Sequence, residues 1–280
     1  ASCNICGAWR GEFGMEPTPE MYVDHLVAIF REVGRVLKDR GTLWLNIADC
    51  FNGSGGAGGD YNPGGLRSGQ PKYPGRRAPG LKPKDLVGIP WMVAFALRSD
   101  GWYLRSDIIW HKPNAFPEPV KDRPSRSHEY IFLLAKSQKY YYDHKAIFEP
   151  LAHPKALTAK TPAVFGGRNK HMGVDNNTYS GNPYVNDPGG KNKRDVWTVA
   201  PATFSGSHFA VMPKKVAEPC ILAGCPPGGA VLDPFSGSGT TGIVAVAHGR
   251  DFIGIELNSE YAEMSRVRLH EATAQQVLPL

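Results

Sequence analysis

Cysteine is scarce, with five in 280 residues, an odd number at irregular spacing. That excludes a disulfide framework and points to a reducing, cytoplasmic setting. Long apolar runs are missing as well. The longest, around residues 86–97, already contains a glycine and a proline and is too short to cross a bilayer, which argues against a membrane role. No secretory leader is recognisable in the opening residues, which begin at Ala1. Acids are thin in two stretches. Residues 51–84 hold six basic side chains against Asp60, and residues 151–200 hold seven against three acids. The whole chain is only +6, so the rest is mildly acidic. A positive field gathered on particular segments suits a polyanion partner and equally suits solvated basic loops. What the chain does have is 41% hydrophobic and 21% charged residues, which excludes wholesale disorder and allows one large domain with an insertion.

Periodicity predicts alternating helices and strands. Thr18 caps a helix over residues 19–37, with Pro19 in its first turn and Tyr22, Val23, Leu26, Ile29, Phe30, Val33 and Leu37 at helical spacing. An apolar run over 42–47, ending near Asp49, reads as a buried strand. Ten glycines between 53 and 80 make that stretch a long loop. A second helix is expected over 85–97, then strands at 103–110 and 130–135. Residues 151–200 are polar and without period, an insertion. Beyond them a helix over 214–223, a strand over 230–233, a helix over 240–248, a strand over 252–257 and a final helix to about 270 are predicted. Such alternation argues for an α/β fold with a parallel-rich sheet.

The most informative stretch runs from Val231 to Gly242. It is a strand, a glycine turn and a helix start, and the following strand carries Glu256. Gly237, Gly239 and Gly242 formally satisfy the dinucleotide fingerprint, so a nicotinamide-dependent oxidoreductase is one reading. Asp233 at the turn is unsuited to a pyrophosphate on the helix N-terminus, and only 24 residues follow Glu256, too few for a dinucleotide-binding half. A ligand with an ammonium and an adenosine but no phosphate fits better: Asp233 for the amino-acid end, Glu256 for two ribose hydroxyls. S-adenosyl-L-methionine is such a ligand.

Asp233-Pro234-Phe235-Ser236-Gly237-Ser238-Gly239-Thr240-Thr241, followed by Gly254-Ile255-Glu256-Leu257, resembles the cofactor motifs of DNA amino-methyltransferases specific for cytosine N4 or adenine N6. The order, with the cofactor loop last, is that of the permuted β class. Further segments match in sequence order: 16–20 with the following helix, 41–49, 109–114, 120–124 and 128–132. The resemblance implies a Rossmann-like methyltransferase fold in permuted order. A catalytic-side half would span 1–150, with the flexible loop 51–84. A target-recognition insertion would span 151–205 and a cofactor half 206–280. It also implies that Phe209 and Asp49 join the cofactor residues just named. Trp110, Lys112, Pro113, Asn114, Lys121, Arg123, Arg126 and His128 would face the base pocket and duplex DNA.

The family carries its chemistry on a Ser/Asp/Asn-Pro-Pro-aromatic motif, which this sequence does not contain. Asn182-Pro183-Tyr184 lacks the second proline and reads as a turn. The resemblance places the motif upstream of Ala1, on a strand between those at 42–48 and 230–233. A chain without it is expected to be N-terminally truncated, marginally stable and weak in methyl transfer. Cys3 and Cys6 form half of a tetrahedral zinc site, whose other half the resemblance also places upstream, giving a structural zinc in the full-length protein. A site-specific methyltransferase of a bacterial, archaeal or phage restriction-modification system is therefore expected, acting in the cytoplasm on double-stranded DNA, with a homodimer possible. A non-catalytic DNA-binding relative is the second reading.

Overall fold

The computed structural model describes residues 9, 11, 13–53, 78–115, 117–118, 120–150, 190–202 and 212–277. Helix α1 (Pro19–Val36) starts where the sequence places it, with the Thr18 hydroxyl accepting from the Met21 amide. Its apolar stripe buries Val23, Leu26 and Phe30. Strand β1 (Thr42–Ile47) follows. Helix α2 (Ile89–Ser99) starts four residues later than the pattern suggests. Lys84 and Gly88 both take left-handed backbone, at φ 71° and 82°, so no helix can run through them, and Pro90 suits the first turn.

Strands β2 (Tyr103–His111) and β3 (His128–Ala135) form a hairpin. Strand β4 (Val196–Thr198) lies inside the segment predicted as polar insertion. Its Trp197 is 5% exposed and lies opposite Trp110 of β2, so this stretch belongs to the sheet. A 3-10 turn (Lys145–Ile147) precedes β4, and helix α3 (Lys214–Gly224), strand β5 (Ala230–Asp233), helix α4 (Thr240–Ala247), strand β6 (Asp251–Gly254) and helix α5 (Ser259–Val277) complete the described elements. Strand β6 stops before Glu256, and α5 runs beyond the expected end at 270.

The strand order is β1-β3-β2-β4 in one sheet and β5-β6 in a second. Strand β3 is antiparallel to both β1 and β2, while β2–β4 and β5–β6 are parallel, so the four-stranded sheet is mixed rather than parallel-rich. The run Ile131-Phe132-Leu133-Leu134-Ala135 is buried throughout, as a central strand covered on both faces must be. Phe132 and Leu134 meet α1 and α2 on one face, and Ile131 meets Trp110, Trp197 and Val216 on the other. Helix α3 joins the sheets: Val216 belongs to the second cluster, while Ala217 and Ile221 pack against Val244 and Ala245 of α4. Because β1, β2 and β4 share a direction, their C-terminal ends and the start of β3 form one rim, where loops can gather functional side chains.

Candidate functional site

The glycine turn between β5 and α4 is built as its residues demand. Gly239 has φ 78°, and a Cβ there would lie 2.2 Å from the Ser265 hydroxyl on α5. A Cβ on Gly242 would meet the Phe252 ring at 2.5 Å, so α4 sits against β6 only with glycine there. Across the turn, the Ser236 amide donates to the Ile255 carbonyl at 3.0 Å. The Ile255 amide donates to the Asp233 carbonyl at 2.9 Å. Arg268 of α5 donates to the Ser238 carbonyl.

The two acids flank this turn from the ends of neighbouring strands, with Asp233 opposite Gly254 in register. The Asp233 carboxylate accepts from the Phe235 amide at 3.0 Å. Glu256 accepts from the Gly237 amide at 2.8 Å and from the Asn258 amide at 2.9 Å, tying the two loops together. Ionised carboxylate oxygens each have a further acceptor direction free. Ser236, Ser238 and Thr240 are buried, Pro234 and Thr241 are half-buried, and the Thr240 hydroxyl has no partner among the described residues. Leu257 is 95% exposed and Phe235 is 45% exposed, so two apolar side chains stand open beside the acids. Phe235 stacks on Phe13 at 5.6 Å and meets Phe30 edge-on, which couples the turn to α1. Phe209 lies outside the described residues, as do Cys3 and Cys6. Among the described residues no cluster of three His, Cys, Asp or Glu could hold a metal.

Asp49 sits at the end of β1 and is 3% exposed at its side chain. Its carboxylate accepts from the amides of Cys50, Gly88 and Ile89 at 2.9–3.1 Å, and the Arg126 guanidinium stands 3.6 Å away. It thus supplies the cap that Gly88 cannot give α2.

On the rim, Trp110 is 4% exposed, and its indole N–H donates to the Val199 carbonyl, so it supports the rim from below. Lys112 extends over its ring at 4.4 Å and pairs with Glu129, which also accepts from the Asn46 amide at 3.1 Å. Pro113 and Asn114 form an exposed turn, and His128 packs edge-on to Tyr130. Lys121 is exposed, but the two nearby guanidiniums have internal partners. Arg123 pairs with Glu118 at 2.6 Å and lies 3.7 Å above the Phe51 ring, and Arg126 lies between Phe51 and Asp49. Arg123 holds the Glu118 carboxyl below its ordinary pKa through their hydrogen bond, against the smaller upward effect of burial. Sequence reasoning missed Phe51, Glu118, Glu129 and Asn46, because partners brought together across strands leave no local spacing to read.

None of the three described cysteines is primed as a nucleophile. Burial pushes the thiols of Cys50, Cys220 and Cys225 up, away from the thiolate form.

A sequence model described as DNA methylase matches residues 9–267. The chain is 47% identical over 262 residues to the type II methyltransferase M.SmaI of Serratia marcescens, covering 92% of this chain and 77% of that protein. It is 45% identical over 263 residues to the type II methyltransferase M.Cfr9I of Citrobacter freundii, covering 92% and 74%. Among solved structures, the cytosine-N4-specific PvuII DNA methyltransferase superposes with a TM-score of 0.57 at 18% identity, covering 98% of this chain and 81% of that one. M1.HpyAVI in complex with SAM gives 0.50 at 18% identity, covering 87% and 82%. These structural likenesses establish an α/β fold shared with those two proteins.

Proposed function

The chain belongs to the DNA methylase family, and from that membership we infer that it transfers a methyl group from S-adenosylmethionine to an exocyclic amine in DNA, cytosine N4 or adenine N6. The observation that carries the cofactor assignment is the turn after β5: a glycine cradle between two strand-end carboxylates, beside a buried Thr240 hydroxyl that has no partner among the described residues. No phosphate is asked of this site, which is what the carboxylate of Asp233 requires. When bound, S-adenosylmethionine supplies a methyl group activated by its sulfonium.

The chain's own residues then have definable tasks. Asp233 attracts the ammonium of the amino-acid end. Glu256, held by the Gly237 and Asn258 amides, accepts from the ribose hydroxyls. Thr240 offers its hydroxyl, and Phe235 and Leu257 give apolar surface to the adenine side, with Pro234, Ser236 and Thr241 shaping the cradle. Asp49 contributes by fixing the end of β1 and the start of α2. An exocyclic amine is a poor nucleophile because its lone pair is shared with the ring, so catalysis is chiefly alignment of amine, methyl and sulfur. Extruding the base from the duplex makes that alignment reachable. Lys112 with Pro113, Asn114 and His128 forms the rim that receives it, and Lys121 faces the phosphates. The reading includes a cytoplasmic location, a role in restriction-modification and duplex DNA as substrate. Sedimentation distinguishes monomer from homodimer.

Two measurements test it. Calorimetry should give binding heat with S-adenosylhomocysteine and none with NAD. Incubation with tritiated S-adenosylmethionine and genomic DNA, followed by digestion to nucleosides, should label N4-methylcytosine or N6-methyladenine. Cofactor binding without any labelled nucleoside would instead favour a DNA-binding relative that does no chemistry.

A further inference from the structure

Outside the cofactor turn and the base rim, a recess of about 260 Å³ opens along β4, the edge strand of its sheet among the described residues, far more than the roughly 30 Å³ share of one water. Trp197, Val196 and Val199 give it apolar walls, and Thr198 adds a hydroxyl. Lys193, Arg194 and Lys215 bring three cations to it, against one carboxylate, Glu149.

That carboxylate is already engaged. Glu149 accepts from both the amide and the Nε of Arg194, at 3.2 and 3.0 Å, and Lys191 stands 3.7 Å away. Burial alone would raise the Glu149 carboxyl, but the hydrogen bonds and charge from Arg194 and the charge of Lys193 outweigh it and leave it below its ordinary pKa. Lys193 lies 5.2 Å from the Trp197 ring, and neither it nor Lys215 has a carboxylate partner among the described residues. Two positive charges therefore remain uncompensated. Helix α3 begins at the same place, with Pro213 as a cap that lacks any side-chain acceptor, so the positive end of its dipole adds to the field.

The position matters as much as the charge. Thr198 pairs with His111 in register, which puts the recess at the strand-end rim, level with the residue before Lys112. The backbone bridge between Glu149 and Lys191 closes the neck of the basic segment between them, so the recess lies where that segment joins the domain. We propose that this recess seats a backbone phosphate of the DNA duplex, with Lys193 and Lys215 as the contacting cations and Glu149 as the residue that positions Arg194 beside them. The assignment rests on the DNA-methylating function inferred above and adds to it where the duplex lies relative to β4.

The test is duplex binding, followed by fluorescence anisotropy over a range of KCl concentrations. The variants are Lys193→Gln, Lys215→Gln and the pair together. Neutralising a phosphate contact weakens binding to all sequences alike and lowers the slope of log affinity against log salt by about one. The double variant should show that loss with unchanged affinity for S-adenosylhomocysteine, and Lys→Arg at both positions should keep the wild-type slope. A slope unmoved in the double variant, with the wild type binding duplex normally, overturns the proposal. So does inorganic phosphate raising the melting temperature of wild type but not of the double variant while the slope stays put, because the recess then takes free anions only. A wild type that binds no duplex and methylates none would strike the functional reading itself.

Discussion

Glu256 closes the glycine turn and, in the function proposed above, also faces the cofactor. In Glu256→Gln the amide group would confront one of the two backbone N–H donors that the carboxylate now satisfies, and the negative charge would vanish. Hydrogen bonds involving a charged group are worth about 1.5–3 kcal/mol, so affinity for S-adenosylhomocysteine should fall roughly 10- to 100-fold by calorimetry. Unchanged affinity would remove Glu256 from the site. Asp49 works differently. Asp49→Ala would leave three amides without their acceptor and the Arg126 guanidinium without a counter-charge. A loss of about 2–4 kcal/mol is expected from the urea midpoint, with Asp49→Asn milder because it keeps an acceptor oxygen. At this scale the acids and glycines of the turn are legible from sequence, since 231–242 is contiguous and each residue type has one use there. The partners of Arg123, Arg126 and Lys112 are not, because Phe51, Asp49 and Glu129 come from other loops and strands.

The segment after β2 is held at three points: Arg123 to Glu118, Arg126 to Asp49, and Lys84 to Asp122 at 2.6 Å. Glu118 and Asp122 both have depressed carboxyl pKa values, chiefly from hydrogen bonds with Arg123 and Lys84 respectively. A carboxyl whose pKa is lower folded than unfolded stabilises above its unfolded pKa, and the benefit disappears as pH falls through the folded value. Both groups are substantially exposed, so the effect is local rather than global. Proteolysis within 117–127 should therefore speed up as acid pH protonates these carboxylates, while the core transition stays cooperative. Equal cleavage at neutral and acid pH would mean that the pairs do not hold the segment. Helix α1 was readable because cap, proline and stripe agree, whereas α2 was misplaced because apolar residues at 86 and 87 extend its pattern into backbone that Lys84 and Gly88 keep non-helical. Strand β4 escaped notice because three residues are too few to show a period, and only the burial of Trp197 reveals them.

At the level of the molecule, β1 and β5 each have one paired neighbour among the described residues, and α3 bridges the two sheets, its Gly224 carbonyl accepting from the Thr42 hydroxyl. A ligand bound at the turn after β5 adds its binding free energy to the folded state. S-adenosylhomocysteine at a hundred times its Kd should stabilise by about 2.7 kcal/mol and raise Tm by several degrees in a thermal melt. No shift would mean that the folded protein does not bind the ligand. The family, the glycine turn with its two acids, the α/β class and most helix boundaries were determined by sequence alone, because each depends on residues close together in the chain or on a period repeated several times. The tertiary structure decided the antiparallel place of β3, the return of Trp197 to the sheet, the internal pairing of Arg123 and Arg126 and the cationic recess beside β4. Those depend on strand order and on charges meeting across long separations, where pairing energies accrue only once the sheet has brought the partners within a few ångströms.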